Sequence, residues 1–271
     1  MIRQPAVAGS FYPGEKVRLS AVLEDLVVAD TVIPGVVAAV APHAGYQYSG
    51  AAAGALFASI EVPETVVILG PNHRGLGQPY GLFAKGSWRT PLGDAEVDEA
   101  LAAAIAAEAP FVREDTESHL GEHSIEVMVP FLQYRRPGVR IVPICVGEHE
   151  YGRLVALGRG IAAAIKKEKR PALVLASSDM THYESAEEAG RKDRLAIERM
   201  LALDEEGLWQ TVGRHRISMC GVAPAVAAMA AARDLGAEEG KLIQYSTSGD
   251  VTGDMNEVVG YASVVFMKGR E

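Results

Sequence analysis

Three histidines lie shortly after apolar runs of strand length, and imidazole both binds metals and moves protons near neutral pH. They are His43, His73 and His182. In open α/β sheets, ligands bind beyond the carboxyl ends of the strands, and these histidines are predicted to meet at that edge. A lone histidine there would be interpreted as a capping or loop residue. Three at equivalent positions favour a site where neutral imidazoles converge on a transition metal.

A cysteine offers a fourth donor. Cys220 comes just before an alanine-rich helical pattern, and a helix N-terminus favours the thiolate, which is the form that binds metals. The alternative, a small buried apolar side chain, stays open at this point. Cys145 lies inside an apolar run of strand length, where we expect it to pack in the core.

Further polar residues lie close to these histidines in the sequence. Glu122 and His123 come near the predicted start of a helix. We expect them either to support the metal ligands or to face a substrate, with helix capping as the alternative. The other residues expected to line a pocket for a polar small molecule are Tyr46, Tyr48, Asn72 and Arg74.

The elements that must position these residues alternate along the chain. Strand-length apolar runs cover residues 36–40, 65–69, 80–84, 139–146, 172–176, 241–246 and 258–267. Several are continuous rather than alternating, which is typical of strands covered on both faces. Helical patterns cover residues 17–29, 50–60, 94–108, 122–134, 151–167, 185–203, 205–215 and 222–235. The alternation predicts a single three-layer α/β/α domain over residues 1–271, and its irregular spacing predicts a mixed central sheet.

Composition excludes several classes of function. The chain of 271 residues has a formal net charge of −9 and no strong basic run, which argues against general nucleic-acid binding. No apolar segment reaches the roughly 18 residues of a transmembrane helix, and the N-terminus does not resemble a signal peptide. Two cysteines do not form a disulfide framework. We therefore expect a cytoplasmic protein that does not associate with membranes.

Several short motifs follow one another along nearly the whole chain. They are Pro42-His43-Ala44-Gly45-Tyr46, Gly70-Pro71-Asn72-His73, Glu122-His123-Ser124-Ile125-Glu126, Ser178-Asp179-Met180-Thr181-His182 and Cys220-Gly221, with residues 3–13, 129–132 and 259–263. In this order they resemble the Memo family, also called the AmmeMemoRadiSam system protein B family. Each motif alone is modest, but together they are highly specific.

The resemblance implies a fold similar to that of class III extradiol dioxygenases, which hold Fe(II) with two histidines and one carboxylate. In the Memo family the corresponding pocket has two histidines and a cysteine, which fall here on His43, His73 and Cys220. The acid/base histidine of the dioxygenases corresponds to His182, and Asp179 in the same motif is expected to orient a neighbour. Fe(II) is our first expectation. Because a thiolate is softer than a carboxylate, it widens the choice of metal to copper or zinc as alternatives.

Three hypotheses follow, because fold does not fix function. The first is a metal-dependent redox or oxygen-dependent activity on an unknown small molecule. The second is a non-catalytic adaptor that holds a peptide or partner protein in the same pocket, and the family name suggests radical-SAM and AMMECR-type partner proteins. The net charge of −9 argues against an acidic phosphopeptide. The third is extradiol ring cleavage of a catechol, against which the cysteine argues.

Overall fold

The computed structural model describes residues 1–28 and 31–269. Its strands are β1 (Ile2–Arg3), β2 (Val36–Ala41), β3 (Thr65–Pro71), β4 (Tyr80–Leu82), β5 (Ser87–Thr90), β6 (Gly93–Glu96), β7 (Arg113–Glu114), β8 (Arg140–Val146), β9 (Ala172–Ser177), β10 (His182–Glu184), β11 (Ala237–Thr247) and β12 (Val258–Lys268). Its helices are α1 (Lys16–Leu26), α2 (Tyr46–Ser59), α3 (Glu99–Glu108), α4 (Glu117–Leu120), α5 (Val129–Arg135), α6 (Tyr151–Glu168), α7 (Ala186–Leu201), α8 (Glu205–His215), α9 (Val222–Asp234) and α10 (Gly249–Thr252), with a 3₁₀ turn at Glu126–Met128.

A large mixed sheet forms the centre of the molecule, as the sequence predicted. Its strands lie in the order β10, β12, β2, β9, β3, β8, β4 and β7, and β11 also pairs with β12. The pairs β2–β9, β9–β3 and β3–β8 are parallel. Strands β12 and β4 join this parallel centre in the antiparallel sense. The carboxyl ends of four adjacent parallel strands, β2, β9, β3 and β8, therefore meet at one edge.

Buried strands explain why this part of the fold was predictable. All seven residues of β3 are buried, and β9 is buried from its second residue onward. Because both faces are covered by helices, such strands are apolar at consecutive positions rather than at alternate ones. The predicted strands at residues 36–40, 65–69 and 172–176 each correspond to an observed strand, extended by one or two residues at its carboxyl end.

Helices flank the sheet, which confirms the predicted layered α/β architecture. Helix α9 packs against strands β2, β3 and β9 and against the long helix α6. Gly158 of α6 has no room for a Cβ atom against the backbone carbonyl of Ala227, so glycine at this position lets the two helices approach closely. Helix α2 packs on β2, β11 and β12, with α1 and α5 beside it.

Two regions differ from the sequence prediction. Within the predicted helix at residues 94–108, the first residues belong to β6, which pairs with β5 in a second, three-stranded sheet with β1. The helix begins only after Asp98, whose carboxylate accepts a hydrogen bond from the Leu101 amide and caps the helix. The predicted helix at residues 122–134 is an irregular turn, the 3₁₀ segment and then α5. The last residue of the predicted helix 17–29, Ala29, lies outside the described residues.

Within residues 1–28 and 31–269, none of the helices combines the length and the apolar character needed to cross a membrane.

Candidate metal centre and adjoining cleft

His43 lies two residues beyond β2 and is buried at the carboxyl edge of the sheet. Its Nδ1 atom is 2.8 Å from Ser177 Oγ, and the Ser177 hydroxyl donates to the Ser124 carbonyl at 2.6 Å. Because that hydroxyl hydrogen is already used, Ser177 accepts from Nδ1–H, and the lone pair of His43 stays on Nε2. Burial, helped by nearby His73, lowers the pKa of His43 to about 3, so the ring is neutral at physiological pH.

His73 lies two residues beyond β3, and Glu122 fixes both its backbone and its ring. The His73 amide donates to Glu122 Oε2 at 2.8 Å, and its Nδ1 lies 2.9 Å from Oε1. A carboxylate only accepts, so Nδ1 carries the hydrogen and Nε2 is again the free donor atom. Burial raises the pKa of Glu122, but the hydrogen bond and charge of His73 outweigh it and bring the pKa to about 2.

His123 completes a compact histidine cluster. Its ring stacks on His73 with centroids 4.8 Å apart and 13° between the planes, and it meets His43 edge-on at 5.4 Å. One ligand nitrogen from each of the three histidines lies within 4.8 Å of the other two. Burial and the neighbouring His43 lower the pKa of His123 to about 4. We expected His123 either to support the metal ligands or to face a substrate, and the structure places it among the candidate metal donors.

Cys220 adjoins the cluster through His43 and is partly buried. Its Sγ atom is 3.3 Å from His43 Nε2, and it accepts a hydrogen bond from the Asp179 amide at 3.3 Å. Gly221, next in the chain, lies so close to the Ser177 carbonyl that a Cβ atom would collide with it, which explains a glycine here. Burial and the charge of Asp179 raise the pKa of the thiol. This direction is opposite to the predicted stabilisation of the thiolate by the helix N-terminus.

Asp179 lies in the loop after β9, and His182 begins β10. Asp179 Oδ1 accepts from the His43 amide at 2.7 Å, so this carboxylate positions the loop that carries His43. His182 Nδ1 lies 2.7 Å from the Met180 carbonyl and 3.0 Å from the Ser218 carbonyl. Because carbonyls only accept, Nδ1 carries the hydrogen and Nε2 is free for proton exchange.

Three of the residues predicted to line a pocket, Tyr46, Asn72 and Arg74, use their polar groups in contacts with the backbone. The Tyr46 hydroxyl donates to the Val127 carbonyl at 2.7 Å, and its ring packs in the core. Asn72 holds its own turn through its side-chain amide, which donates to the Leu76 carbonyl at 2.7 Å. Arg74 Nε donates to the Gly121 carbonyl at 2.6 Å. A substrate contact by these residues stays a prediction.

A buried arginine that the sequence analysis passed over supports the turn bearing Glu122 and His123. Arg3 is fully buried and donates to the carbonyls of His119 and Glu122 and to the Glu126 carboxylate, at 2.8, 2.7 and 2.6 Å. Its guanidinium also lies 4.1 Å from the ring centre of Trp88. Arg3 and Glu126, the two residues of this ion pair, both belong to the motifs quoted above. Nothing in the sequence around Arg3 indicates that its side chain will be buried.

A cleft of about 410 Å³ adjoins the histidine cluster. Its lining combines site residues with aromatic and hydroxyl side chains from the loops around β10 and α10. The lining residues are Phe11, Ala44, Gly45, Tyr48, His123, Asp179, His182, Tyr183, Ser248, Thr252, Glu257, Val259 and Tyr261. Of the predicted residues, Tyr48, His123, Asp179 and His182 are therefore on the cleft.

Fold and site together define an α/β protein with a histidine cluster at the carboxyl edge of its parallel strands. Residues 3–265 match the family described as Memo-like protein, and the chain belongs to that family, as its motifs predicted. It is 44% identical to a MEMO1 family protein of Methanopyrus kandleri over 286 residues, covering 99% of this chain and 100% of the relative. A MEMO1 family protein of Aquifex aeolicus is 42% identical, over 98% of this chain and 99% of that one.

A solved structure supports the fold alone. An uncharacterized protein of Escherichia coli K12 superposes with a TM-score of 0.52 at 16% identity, over 86% of this chain and 99% of that chain.

Proposed function

We propose that this protein binds one transition-metal ion at the carboxyl edge of its sheet and uses it in a redox or oxygen-dependent reaction of a small molecule. The observation that carries the proposal is the matched orientation of two imidazoles. His43 and His73 each commit Nδ1–H to a fixed acceptor, Ser177 and Glu122, and leave the Nε2 lone pair for an ion. Hydrogen-bonded imidazoles of this kind are the usual arrangement in metal sites of proteins.

The spacing of the donors fits one ion. Two donors at about 2.0–2.3 Å from a tetrahedral ion lie roughly 3.3–3.6 Å apart. The 3.3 Å between His43 Nε2 and Cys220 Sγ matches that spacing. The ligand nitrogens of His43, His73 and His123 lie within 4.8 Å of one another, so small shifts of these side chains would bring them to a common ion. His43, His73 and Cys220 are the proposed ligands, and His123 is the alternative third donor.

The donor chemistry sets the order of candidate metals. Two imidazoles with a third donor and open positions suit Fe(II), which we propose first, while a thiolate also suits zinc and copper. When bound, such an ion would supply Lewis acidity or electrons. The chain itself supplies a proton donor and acceptor at His182 Nε2, and Asp179 fixes the loop that carries His43.

Metal analysis of variants tests the proposal. Anaerobic protein is loaded with Fe(II), Cu(I) or Zn(II) and freed of excess ion, and bound metal is measured per chain. About one ion per wild-type chain is expected, and His43→Ala and His73→Ala should lose it. His215→Ala, which removes an exposed histidine at the end of α8, is the matched control. Binding by both cluster variants equal to that of the control would contradict the proposal.

Two further variants identify the third ligand. Loss of the ion in Cys220→Ser, with retention in His123→Ala, supports the thiolate site. The opposite result supports a three-histidine site.

Extradiol ring cleavage is the second candidate, favoured by the free Nε2 of His182 in the cleft. A catechol, Fe(II) and oxygen under reducing conditions should then give the absorbance of a ring-opened product. His182→Gln should slow its formation while Fe(II) stays bound. A reaction rate unaffected by this substitution would remove the proton-transfer role.

A further inference from the structure

The cleft beside the histidine cluster is unusual in its charge. Among its lining residues, all within the described part of the chain, none is a lysine or an arginine, whereas Asp179 and Glu257 are carboxylic acids. A concave site lined by one sign of charge concentrates ligands of the opposite sign.

Glu257 is the freest acidic group on the cleft. Its side chain is exposed and makes no hydrogen bond or ion pair with any residue in the described ranges 1–28 and 31–269. Nearby Glu184, in β10, is already paired with Lys192 at 2.6 Å. The carboxylate of Glu257 is therefore available to a ligand.

Four aromatic rings also line the cleft. Phe11, Tyr48, Tyr183 and Tyr261 line the cleft, and Tyr183 is 75% exposed at its rim. Tyr183 also has a left-handed backbone with φ of 59°, which is rare for a bulky side chain. The faces of tyrosine rings attract organic cations through their negative quadrupole potential. Rings next to a free carboxylate, with no lysine or arginine among the lining residues, are the combination that recognises an ammonium group.

We infer that the cleft binds a small organic cation, with its ammonium group between Glu257 and the tyrosine rings and its remainder extending toward His123. The inference deepens the proposed function, on which its catalytic meaning rests, by naming the substrate class of that site. It disfavours phosphorylated or acidic peptides, which would meet a carboxylate and no cation in this cleft.

Three phenyl compounds of similar shape test the charge preference. The 2-phenylethylammonium ion is the probe, 2-phenylethanol its neutral counterpart and 3-phenylpropanoate its anionic counterpart. Binding is measured by saturation-transfer NMR and by titration, with both metal-free and metal-loaded protein. We expect the cation to bind at least tenfold more tightly than the anion, and more tightly than the alcohol.

Matched variants locate the binding. Glu257→Gln and Tyr183→Leu should each weaken binding of the cation about two- to fivefold. Both positions are exposed, so the fold should be retained, which thermal unfolding confirms. Glu96→Gln on β6 and Tyr134→Leu on α5 make the same chemical changes away from the cleft and should leave the affinity unchanged.

The outcomes separate the two proposals. Binding of the cation to metal-free protein supports the inference even if no metal binds, in which case only the proposed function fails. Metal binding with equal affinity for the anion and the cation overturns the inference alone. Unchanged affinity in both Glu257→Gln and Tyr183→Leu also overturns it.

Discussion

Replacing Glu122 by glutamine is the most direct test of how the site is held together. Glu122 is 1% exposed, and its two oxygens accept four hydrogen bonds. Oε1 accepts from His73 Nδ1 and from the amides of His123 and Ser124, each at 2.9 Å, and Oε2 accepts from the His73 amide at 2.8 Å. Glutamine has one acceptor oxygen, so its NH2 group must face an N–H donor on one side.

The magnitude follows from these four contacts. If the glutamine oxygen takes the place of Oε1, the His73 amide loses its partner and two buried donors face each other. One unsatisfied buried donor costs about 1–3 kcal/mol, and the three remaining hydrogen bonds lose their charge assistance. We expect the free energy of unfolding to fall by about 2–4 kcal/mol. Because His73 is no longer held, metal affinity should fall roughly 10- to 100-fold.

Urea unfolding of the metal-free protein gives the first quantity, and titration against a competing chelator gives the second. Glu117→Gln makes the same change at an exposed position on α4 and should alter neither quantity. Full metal affinity in Glu122→Gln would refute the argument that this carboxylate orients His73. An unchanged free energy of unfolding in Glu122→Gln would refute the argument from the four buried hydrogen bonds.

Three other substitutions test separate parts of the structure. Ser177→Ala leaves the Nδ1–H of His43 without its acceptor and should lower metal affinity about tenfold by chelator competition; unchanged affinity would contradict the assigned tautomer. Arg3→Lys keeps the charge but not the fork that reaches three acceptors, and it should cost about 2–4 kcal/mol in urea unfolding, whereas a cost near zero would contradict the anchoring role. Burial raises the pKa of Asp98, but hydrogen bonds from Thr65, the Leu101 amide and Arg170 outweigh the effect of burial and leave that pKa lowered. Its stabilising effect is present above the unfolded value of about 3.9 and is lost as the pH falls through the folded value. Asp98→Asn should therefore be less stable than the wild type at pH 6, with a smaller gap at pH 3, and an equal gap at both would contradict this linkage.

The carboxyl edge of the sheet was predictable because its strands are buried on both faces. Apolar runs ending before His43 and His73 needed no knowledge of long-range contacts. His182 was predicted to follow a strand, and it follows β9 but also begins the short strand β10. Its burial and partner could not be read from the sequence, because the Ser218 carbonyl that it faces is 36 residues away.

The supports of the site were not predictable from local pattern. Arg3 pairs with Glu126 across 123 positions, and His43 reaches Ser177 across 134. Composition describes a serine or an arginine as polar, and only the folded chain shows that each is buried with a matched partner. The small sheet was missed for another reason, since its strands have only two to four residues and no apolar periodicity.

Hydrogen bonds around the histidines join three loops and the turn that bears His123, and the Ser177 hydroxyl at the end of β9 reaches the Ser124 carbonyl in that turn. Asp179 joins the loop after β9 to the loop after β2, and Glu122 joins the loop after β3 to the turn that bears His123. The conformational entropy of these loops is therefore lost when the protein folds and not when a ligand binds. A site preorganised in this way binds without refolding, and its loops should open to solvent as one cooperative unit rather than singly.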